Sequence, residues 1–326
     1  MTAGSGSAYD VVALGEVLLR LASPAPTRLE QARELSVSFG GTEANVVSAL
    51  ARLGHRTAWI SALPANAWGE RLGRELTAHG VDVSPVVWRE GSRIGVYFLE
   101  YGSGPRPIRV LYDRKDSAFT TLREEEVDWT LLRRSRVVHL TGVTPALGER
   151  PRRLVERAAA EAETGGALLS LDVNYRAALW TPAEAAGCLA PLLSRAGLLF
   201  VGIADAQQVF GFEGSPEAVA EGLRERAPKA TIALTLGDQG SLVLADRLYR
   251  PTRLYALDAV ADRVGAGDAF AAGFLHGMLG RGDIQAAQDM GTALAALKCT
   301  MWGDVALVRR GEIEELMTQP DPRIRR

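Results

Sequence analysis

The sequence predicts an α/β protein in which helices cover both faces of an open parallel sheet and a small second sheet projects from it. Three observations carry this prediction. Six short apolar runs lack the polar alternation of half-exposed strands, amphipathic stretches separate most of them, and one region holds strand patterns without an intervening helix. Repeated strand and helix units imply right-handed crossovers and a helix-covered sheet.

The order of elements follows from these patterns. The predicted strands of the main sheet are residues 11–14, 57–61, 137–140, 168–172, 198–201 and 231–235. The predicted helices are residues 43–53, 69–79, 151–163 and 183–194. We expect one domain over residues 9–318, with a disordered Gly/Ser-rich leader at 1–8 and an Arg-rich tail at 319–326.

The region from residue 84 to 114 breaks this rhythm, because strand patterns at 86–88, 95–101 and 108–114 follow one another directly. We expect insertions at about 17–40 and 84–115 to form a small projecting sheet. A small isolated sheet is only marginally stable in water. It must therefore cover a site or pair with another subunit, and we predict a lid that also joins a homo-oligomer.

Composition and charge narrow the function classes. The 326 residues carry 37 basic and 39 acidic side chains, so no basic field exists to attract nucleic acid or an acidic membrane. Two cysteines, Cys188 and Cys299, exclude a disulfide framework and favour a reducing compartment. No signal peptide or membrane span is evident in the sequence. We therefore expect a cytoplasmic protein that binds neither nucleic acid nor membrane.

The most informative motif is the segment DRVGAGDAF at residues 262–270. Gly265, Ala266 and Gly267 bring bare backbone amides to the start of a predicted helix, which suits an anion such as phosphate. Asp268 would repel a phosphate unless it had a task there, and removing a proton from an attacking hydroxyl is such a task. The alternative is a glycine-rich helix start with an aspartate cap.

A second motif, Gly40-Gly41 followed by Asn45, also enters a predicted helix. Paired glycines let a ligand approach the backbone, and an amide side chain offers the donor and the acceptor that a polyhydroxylated ligand needs. A third motif, Thr235 to Gly240, is a glycine-rich turn after a buried strand, where open α/β folds bind ligands. Taken alone, the second motif could be a plain Gly-Gly turn. A plain hairpin connection explains the third motif equally well.

A fourth motif places Asp172 and Asn174 at the carboxyl end of a predicted strand, with Arg176 close behind. The guanidinium of Arg176 could bind a carboxylate or a phosphate through two hydrogen bonds. A solvent-exposed arginine is the alternative, unless Tyr112 and Arg114 of the projecting sheet face the same pocket. Walker-type and dinucleotide-binding fingerprints are absent from the sequence, and its four histidines lack metal-ligand spacing.

Together these motifs resemble the two signatures of the ribokinase-like carbohydrate kinases, the PfkB family. The resemblance runs from Asp10 to about Met317 and implies a three-layer sandwich with a mostly parallel central sheet plus a small β-sheet lid. Longer strings resemble the subfamily that acts on 2-keto-3-deoxygluconate. These strings are Gly15-Glu16 with Leu19-Arg20-Leu21, residues 95–100, Tyr112-Asp113-Arg114, residues 172–176 with Trp180, and Lys298 with Trp302-Gly303-Asp304.

The resemblance implies ATP-dependent phosphorylation of the C6 hydroxyl of a sugar acid, with Asp268 as general base and the Gly265, Ala266 and Gly267 amides as an anion hole. It implies substrate contacts at Glu16, Gly40, Gly41, Asn45, Tyr97, Tyr112, Arg114 and Arg176. It implies ATP contacts at Thr235, Gly237, Gly240 and Asp262. Mg²⁺ would come with ATP, Asp205 would hold a Mg²⁺-bound water, and members of the family often use K⁺ near the Asp262 loop.

One departure from the family pattern concerns the metal and phosphate site, because Gly202 stands where the family usually has an asparagine. Two alternatives to the sugar-acid kinase stay open. One is a family member that phosphorylates a neutral sugar such as fructose or ribose, and Arg114 and Arg176 argue against it if both face the pocket. The other is a sugar-binding paralogue with weakened catalysis, which only Gly202 supports.

Overall fold

A nine-stranded sheet forms the centre of the structure, a computed structural model that describes residues 8–102, 104–257, 259–280 and 282–318. The strands are β1 (Tyr9–Leu14), β2 (Leu18–Ala22), β3 (Ser36–Gly40), β4 (Thr57–Ile60), β5 (Ala62–Pro64), β6 (Val81–Asp82), β7 (Val87–Arg89), β8 (Gly95–Glu100), β9 (Arg109–Asp113), β10 (Ser135–Thr141), β11 (Leu168–Asp172), β12 (Leu198–Gly202), β13 (Thr231–Thr235), β14 (Ser241–Leu244) and β15 (Leu248–Tyr249). The helices are α1 (Thr42–Arg52), α2 (Ala67–His79), α3 (Thr130–Arg133), α4 (Glu149–Gly165), α5 (Pro182–Leu193), α6 (Ile203–Phe210), α7 (Pro216–Arg226), α8 (Ala266–Gly280), α9 (Ile284–Cys299) and α10 (Arg310–Thr318).

The main sheet has the strand order β15-β14-β13-β12-β11-β10-β1-β4-β6. Its strands pair in parallel from β13 to β6, whereas β14 and β15 are antiparallel additions at one edge. Both faces are covered: α4, α5, α6 and α7 pack on one side, and α1, α2, α8 and α9 pack on the other. The predicted three-layer α/β architecture is confirmed.

The apolar runs form central strands because both of their faces are buried. In β1, Val12 and Leu14 enter one core while Val11 and Ala13 enter the core on the opposite face. Since successive side chains of a strand point to opposite faces, a strand between two helix layers needs apolar residues at every position. The unbroken apolar pattern is therefore the sequence signal of this central sheet.

Helix ends follow from local capping. The Asn66 side chain accepts hydrogen bonds from the backbone N–H groups of Trp68 (3.1 Å) and Gly69 (3.2 Å), which starts α2. This helix ends at Gly80, whose φ of +97° is a left-handed conformation that glycine adopts without strain. None of the helices among the described residues combines the length and the apolar composition of a membrane span.

A four-stranded sheet, which we call the lid sheet, has the order β3-β2-β8-β9. Its strands come from the two predicted insertions, and the expected projecting sheet is confirmed. One part of that expectation is wrong: the strand predicted at 86–88 forms as β7 but pairs with β5 in a separate two-stranded sheet. Its partner β5 follows β4 of the main sheet directly in the chain, so β7 pairs next to the main sheet and not within the lid sheet.

The turn after β13 is a hairpin connection, because β13 and β14 pair antiparallel with Thr235 opposite Ser241. Gly237 and Gly240 occupy this turn with φ values of +66° and +86°. The hairpin alternative for residues 235–240 is thus what the fold contains. The predicted leader, apart from residue 8, and the predicted tail at 319–326 lie outside the described residues.

Candidate active site

A cavity of about 360 Å³ lies at the carboxyl ends of the central strands, beneath the lid sheet. This is where open α/β sheets bind ligands, and its size suits a small-molecule site. Its polar and charged lining residues are Glu16, Thr42, Asn45, Tyr97, Tyr112, Arg114, Asp172, Asn174, Arg176, Asp205, Thr235, Arg263, Asp268 and Asp304. The glycines at its surface are Gly40, Gly41, Gly202, Gly265 and Gly267.

The segment from residue 262 to 267, here called the anion loop, leads into the first turn of α8. Gly265 has a φ of +85°, and a side chain there would overlap the backbone carbonyl of Asp304, so only glycine fits. The Ala266 N–H is already used, since it donates to the Arg263 carbonyl at 3.1 Å. Within the described chain, the N–H groups of Gly265 and Gly267 have no acceptor, so two of the three predicted amides are free.

Asp268 is buried in the first turn of α8, where the Asn45 side-chain amide donates to its Oδ2 at 2.7 Å. Burial raises the pKa of Asp268 to about 6, against the Asn45 hydrogen bond and the positive charge of Arg176, which favour the ionised form. A carboxylate with a pKa near neutrality suits general-base chemistry. Asn45, predicted to touch the substrate, lines the cavity and also contacts the predicted base directly.

A second buried carboxylate, Asp172, ends β11. Burial raises its pKa to about 7, and the nearby negative charge of Asp268 acts in the same direction. Asn174 donates to Asp172 at 3.2 Å and holds a φ of +39°, an uncommon backbone conformation for a residue other than glycine. Its buried Oδ1 has no partner among the described residues, which leaves a polar atom for a ligand.

Asp205 lies on the first turn of α6, where its carboxylate accepts a hydrogen bond from the Tyr175 N–H at 3.1 Å. Burial raises the pKa of Asp205. Gly202 precedes this helix and contributes no side chain. Among the described residues, no group of three or more His, Cys, Asp or Glu side chains is arranged to hold a metal by itself.

The cavity's arginines differ in how their charges are balanced. Arg114 is paired with Glu16, since its Nε donates to the Glu16 carboxylate at 2.9 Å and Ser117 donates to the same carboxylate. Arg176 and Arg263 are exposed and line the cavity, and neither forms an ion pair within the described residues. The cations available to an anionic ligand are therefore Arg176 and Arg263, and Arg263 is one that sequence reasoning did not assign to the site.

A buried ionic network, also missed from the sequence, lies under the lid sheet. The Arg20 guanidinium of β2 binds the carboxylates of both Asp262 and Asp304. The Tyr97 hydroxyl of β8 donates to Asp304 at 2.8 Å. Asp304 also lines the cavity, so it is a candidate site residue. A lone arginine between two leucines of an apolar strand was the signal available in the sequence.

Of the predicted ATP contacts, Thr235 lines the cavity. Gly237 and Gly240 lie in the following hairpin turn and are not part of its lining. The structure does not bring the Asp262 carboxylate to the cavity, because that group is buried against Arg20. The Asp262 carboxylate, which the resemblance assigned to ATP binding, is therefore paired with Arg20.

Comparisons with known proteins all point to carbohydrate kinases. Residues 8–307 match the sequence pattern of the family described as pfkB family carbohydrate kinase. A 2-dehydro-3-deoxygalactonokinase of Haloferax volcanii is 34% identical over 318 residues, which cover 97% of this chain and 99% of the relative. A 2-dehydro-3-deoxygluconokinase of Thermoproteus tenax is 32% identical over 94% of each chain. The crystal structure of a Thermotoga maritima 2-dehydro-3-deoxygluconokinase has a TM-score of 0.88 at 33% identity, covering 95% of this chain and 99% of that one.

Proposed function

The chain belongs to the PfkB family of carbohydrate kinases, and we propose that it transfers the γ-phosphoryl group of ATP to the C6 hydroxyl of 2-keto-3-deoxygluconate or a close sugar acid. One observation carries the proposal. Asp268 is buried beside free backbone amides at the start of α8, in a cavity that has room for a sugar hydroxyl and a phosphate together. The names of relatives that cover nearly the whole chain support a sugar acid as substrate.

Asp268 acts as the general base in this proposal. Its carboxylate accepts the proton of the C6 hydroxyl while the C6 oxygen forms its bond to the γ-phosphorus. The bond between that phosphorus and the β–γ bridging oxygen breaks, and ADP leaves with the oxygen. With a pKa of about 6, most of the carboxylate is ionised at neutral pH and ready to accept the proton. The Asn45 amide orients it.

The anion loop stabilises the charge on the transferring phosphoryl group. The free N–H groups of Gly265 and Gly267 supply donors fixed by the backbone, and each such donor is worth about 2.7–4 kcal/mol in comparable anion holes. Arg263, which forms no ion pair with the residues that the structure describes, adds a guanidinium on the same loop. Since the transition state of phosphoryl transfer spreads charge over the equatorial oxygens, fixed donors and a cation act where that charge develops.

The sugar acid binds under the lid sheet in this proposal, against Gly40, Gly41, Tyr97 and Tyr112. A side chain at Gly40 would overlap the Asp304 carboxylate, so glycine at this position lets Asp304 lie against the backbone of the cavity wall. We assign the substrate carboxylate to Arg176, because Glu16 already balances the charge of Arg114. The paired Glu16 and Arg114 groups remain available to sugar hydroxyls.

ATP enters from the side of the cavity where β12 and β13 end, with its phosphates along Thr235 and the turn that carries Gly237 and Gly240. The residues there fit Mg²⁺, which typically binds one or two carboxylates together with phosphate oxygens and waters. Asp172 and Asp205 would hold it, and neither forms an ion pair within the described residues. Bound Mg²⁺ supplies neutralisation of the phosphate charge.

We also propose that the lid sheet joins a homo-oligomer through the face that points away from the cavity. Val37, Leu21, Phe98 and Leu111 form one row across its four strands, each in register with the next. Leu111 is 56% exposed and Phe98 is half-buried, whereas the half-buried Leu21 and Val37 also pack against one of the protein's own cores. A row of apolar side chains on a projecting sheet favours pairing with a second copy.

A coupled assay of ADP release tests the substrate assignment, with 2-keto-3-deoxygluconate, 2-keto-3-deoxygalactonate, fructose and ribose as acceptors. We expect kcat/KM for the sugar acids to exceed that for the neutral sugars by at least about tenfold, because only the acids engage Arg176. The Asp268→Asn variant, purified identically, controls for contaminating kinases. Equal efficiency with fructose would support the neutral-sugar alternative, and no turnover with any acceptor would support a binding protein.

A further inference from the structure

Lys298 is a fully buried lysine near the carboxyl end of α9. Its Nζ donates to the backbone carbonyl of Asp262 at 3.0 Å and to that of Met301 at 3.4 Å. Among the described residues, no carboxylate forms an ion pair with it. A buried ammonium is costly unless nearby groups compensate for the lost water, so the two carbonyls must serve as its ligands.

The surroundings of Lys298 favour a cation. The last backbone carbonyls of a helix carry partial negative charge, and Lys298 lies in the last turn of α9. The backbone carbonyl of Cys299, at the end of that helix, accepts a hydrogen bond from the Ala261 N–H at 2.9 Å. The carboxylates of Asp262 and Asp304 favour the charged form of Lys298, although burial lowers its pKa. The carbonyl of Asp262 begins the anion loop, so the ammonium lies directly at the base of that loop.

We infer that the Lys298 ammonium is a built-in cation at the base of the anion loop, and that it makes K⁺ unnecessary there. The residues do not fit the K⁺ that the family resemblance implies near Asp262. The ammonium already binds the Asp262 carbonyl from inside the protein. A second cation beside it would meet a like charge in a poorly solvated region, where repulsion is weakly screened.

The inferred role of Lys298 is positioning rather than contact with substrate, because the side chain does not line the cavity. By holding the Asp262 carbonyl, it fixes the loop whose Val264 N–H donates to the Asp262 side chain at 3.0 Å. The same loop continues into the free amides of Gly265 and Gly267. The effect on catalysis rests on the proposed kinase function, whereas the effect on cation binding does not.

The first test uses the unaltered protein. Kinase activity and the melting temperature are measured in buffers that contain K⁺, Na⁺ or choline at equal ionic strength. We expect both quantities to be the same in all three buffers, with rates agreeing within about twofold, since the site is filled by the chain itself. Activation by K⁺ of tenfold or more over choline, or a melting temperature that rises only with K⁺, would overturn the inference.

The second test compares two substitutions at the same position. Lys298→Met removes the charge but fills most of the space, whereas Lys298→Ala opens room for an ion beside the carbonyls of Asp262 and Met301. In choline buffer we expect kcat to fall about 10–100-fold in both variants, with KM for the sugar changed less than about twofold. In K⁺ buffer we expect rescue of Lys298→Ala but not of Lys298→Met.

The control is Lys229→Met, the same change at an exposed lysine that is not in the cavity lining. A Lys298→Met variant as active as Lys229→Met in choline buffer would overturn the inference. If the variants at Lys298 do not fold, the salt comparison on the unaltered protein decides. If the protein phosphorylates no sugar, the proposed function fails, while the melting temperatures of the unaltered protein and of Lys298→Ala still decide whether Lys298 replaces K⁺.

Discussion

Replacing Asn45 by leucine tests whether Asp268 is the base and how its pKa is set. Leucine has a similar volume but lacks the amide N–H that donates to Asp268 Oδ2 at 2.7 Å. Hydrogen bonds to charged groups contribute about 1.5–3 kcal/mol. One pKa unit corresponds to about 1.36 kcal/mol, so losing this bond raises the pKa of Asp268 by about 1–2 units.

The pKa of Asp268 would therefore move from about 6 to between about 7 and 8. At about pH 7 the ionised fraction falls from about 90% to between about 10% and 50%, which lowers kcat/KM about two- to tenfold. At about pH 9 the carboxylate is mostly ionised in both proteins and most of the rate returns. The acidic limb of the pH profile of kcat/KM, measured by ADP release, reports this shift directly.

Thr42→Val is the matched control, because Thr42 lines the same cavity three residues earlier on α1 and its hydroxyl has no partner in the described chain. The acidic limb of this variant should stay near pH 6, whatever its rate. The reasoning is refuted if Asn45→Leu lowers kcat/KM by the same factor at every pH. That result would mean that Asn45 acts on the substrate and not through Asp268.

Four further outcomes follow from the site. Asp268→Asn should lower kcat by about 10²–10⁴-fold while calorimetry still detects sugar binding, and a fully active variant contradicts the base assignment. Arg176→Gln should raise KM for sugar acids by about 10–150-fold but leave that for fructose unchanged; equal changes would mean that no carboxylate is bound there. Gly202→Asn has room, since the nearest atoms lie 3.7 Å from an added Cβ, and should lower KM for ATP a few-fold; an unchanged KM removes this position from ATP binding. Leu111→Glu should shift sedimentation toward the monomer with activity per subunit retained, whereas an unchanged oligomer excludes the lid face.

Much of the fold could be predicted because its signals are local. The run from Val11 to Leu14 carries its two-sided burial in four consecutive apolar residues, and the same holds for the other central strands. The anion site at the start of α8 could also be predicted from local sequence, because a plain helix start seldom needs several glycines followed by an aspartate such as Asp268. The turn at residues 235–240 was not, because its glycines suit a hairpin as well as a ligand loop.

The ionic contacts of the site could not be predicted, because they join residues that are far apart in the chain. Glu16 and Arg114 are separated by 98 positions, and Arg20 lies 242 positions before Asp262 and 284 before Asp304. No periodicity relates such residues, and their meeting depends on how the lid sheet packs over the main sheet. The sequence could therefore propose Arg114 as a cation for the substrate but not reveal that Glu16 balances it.

The distribution of charge divides the cavity into two halves with different tasks. Its lining contains five carboxylates and three arginines. The charges under the lid sheet are balanced within the protein: Arg114 pairs with Glu16, and Arg20 together with the nearby Lys298 ammonium offsets Asp262 and Asp304. The carboxylates without an ion pair among the described residues are Asp172, Asp205 and Asp268, at the ends of β11 and β12 and the start of α8. Burial raises the pKa of all three. A protein gains no stability from carboxylates that are removed from water without an ion pair. Their cost is explained if this half of the cavity accepts a proton and binds the cation that accompanies a polyphosphate.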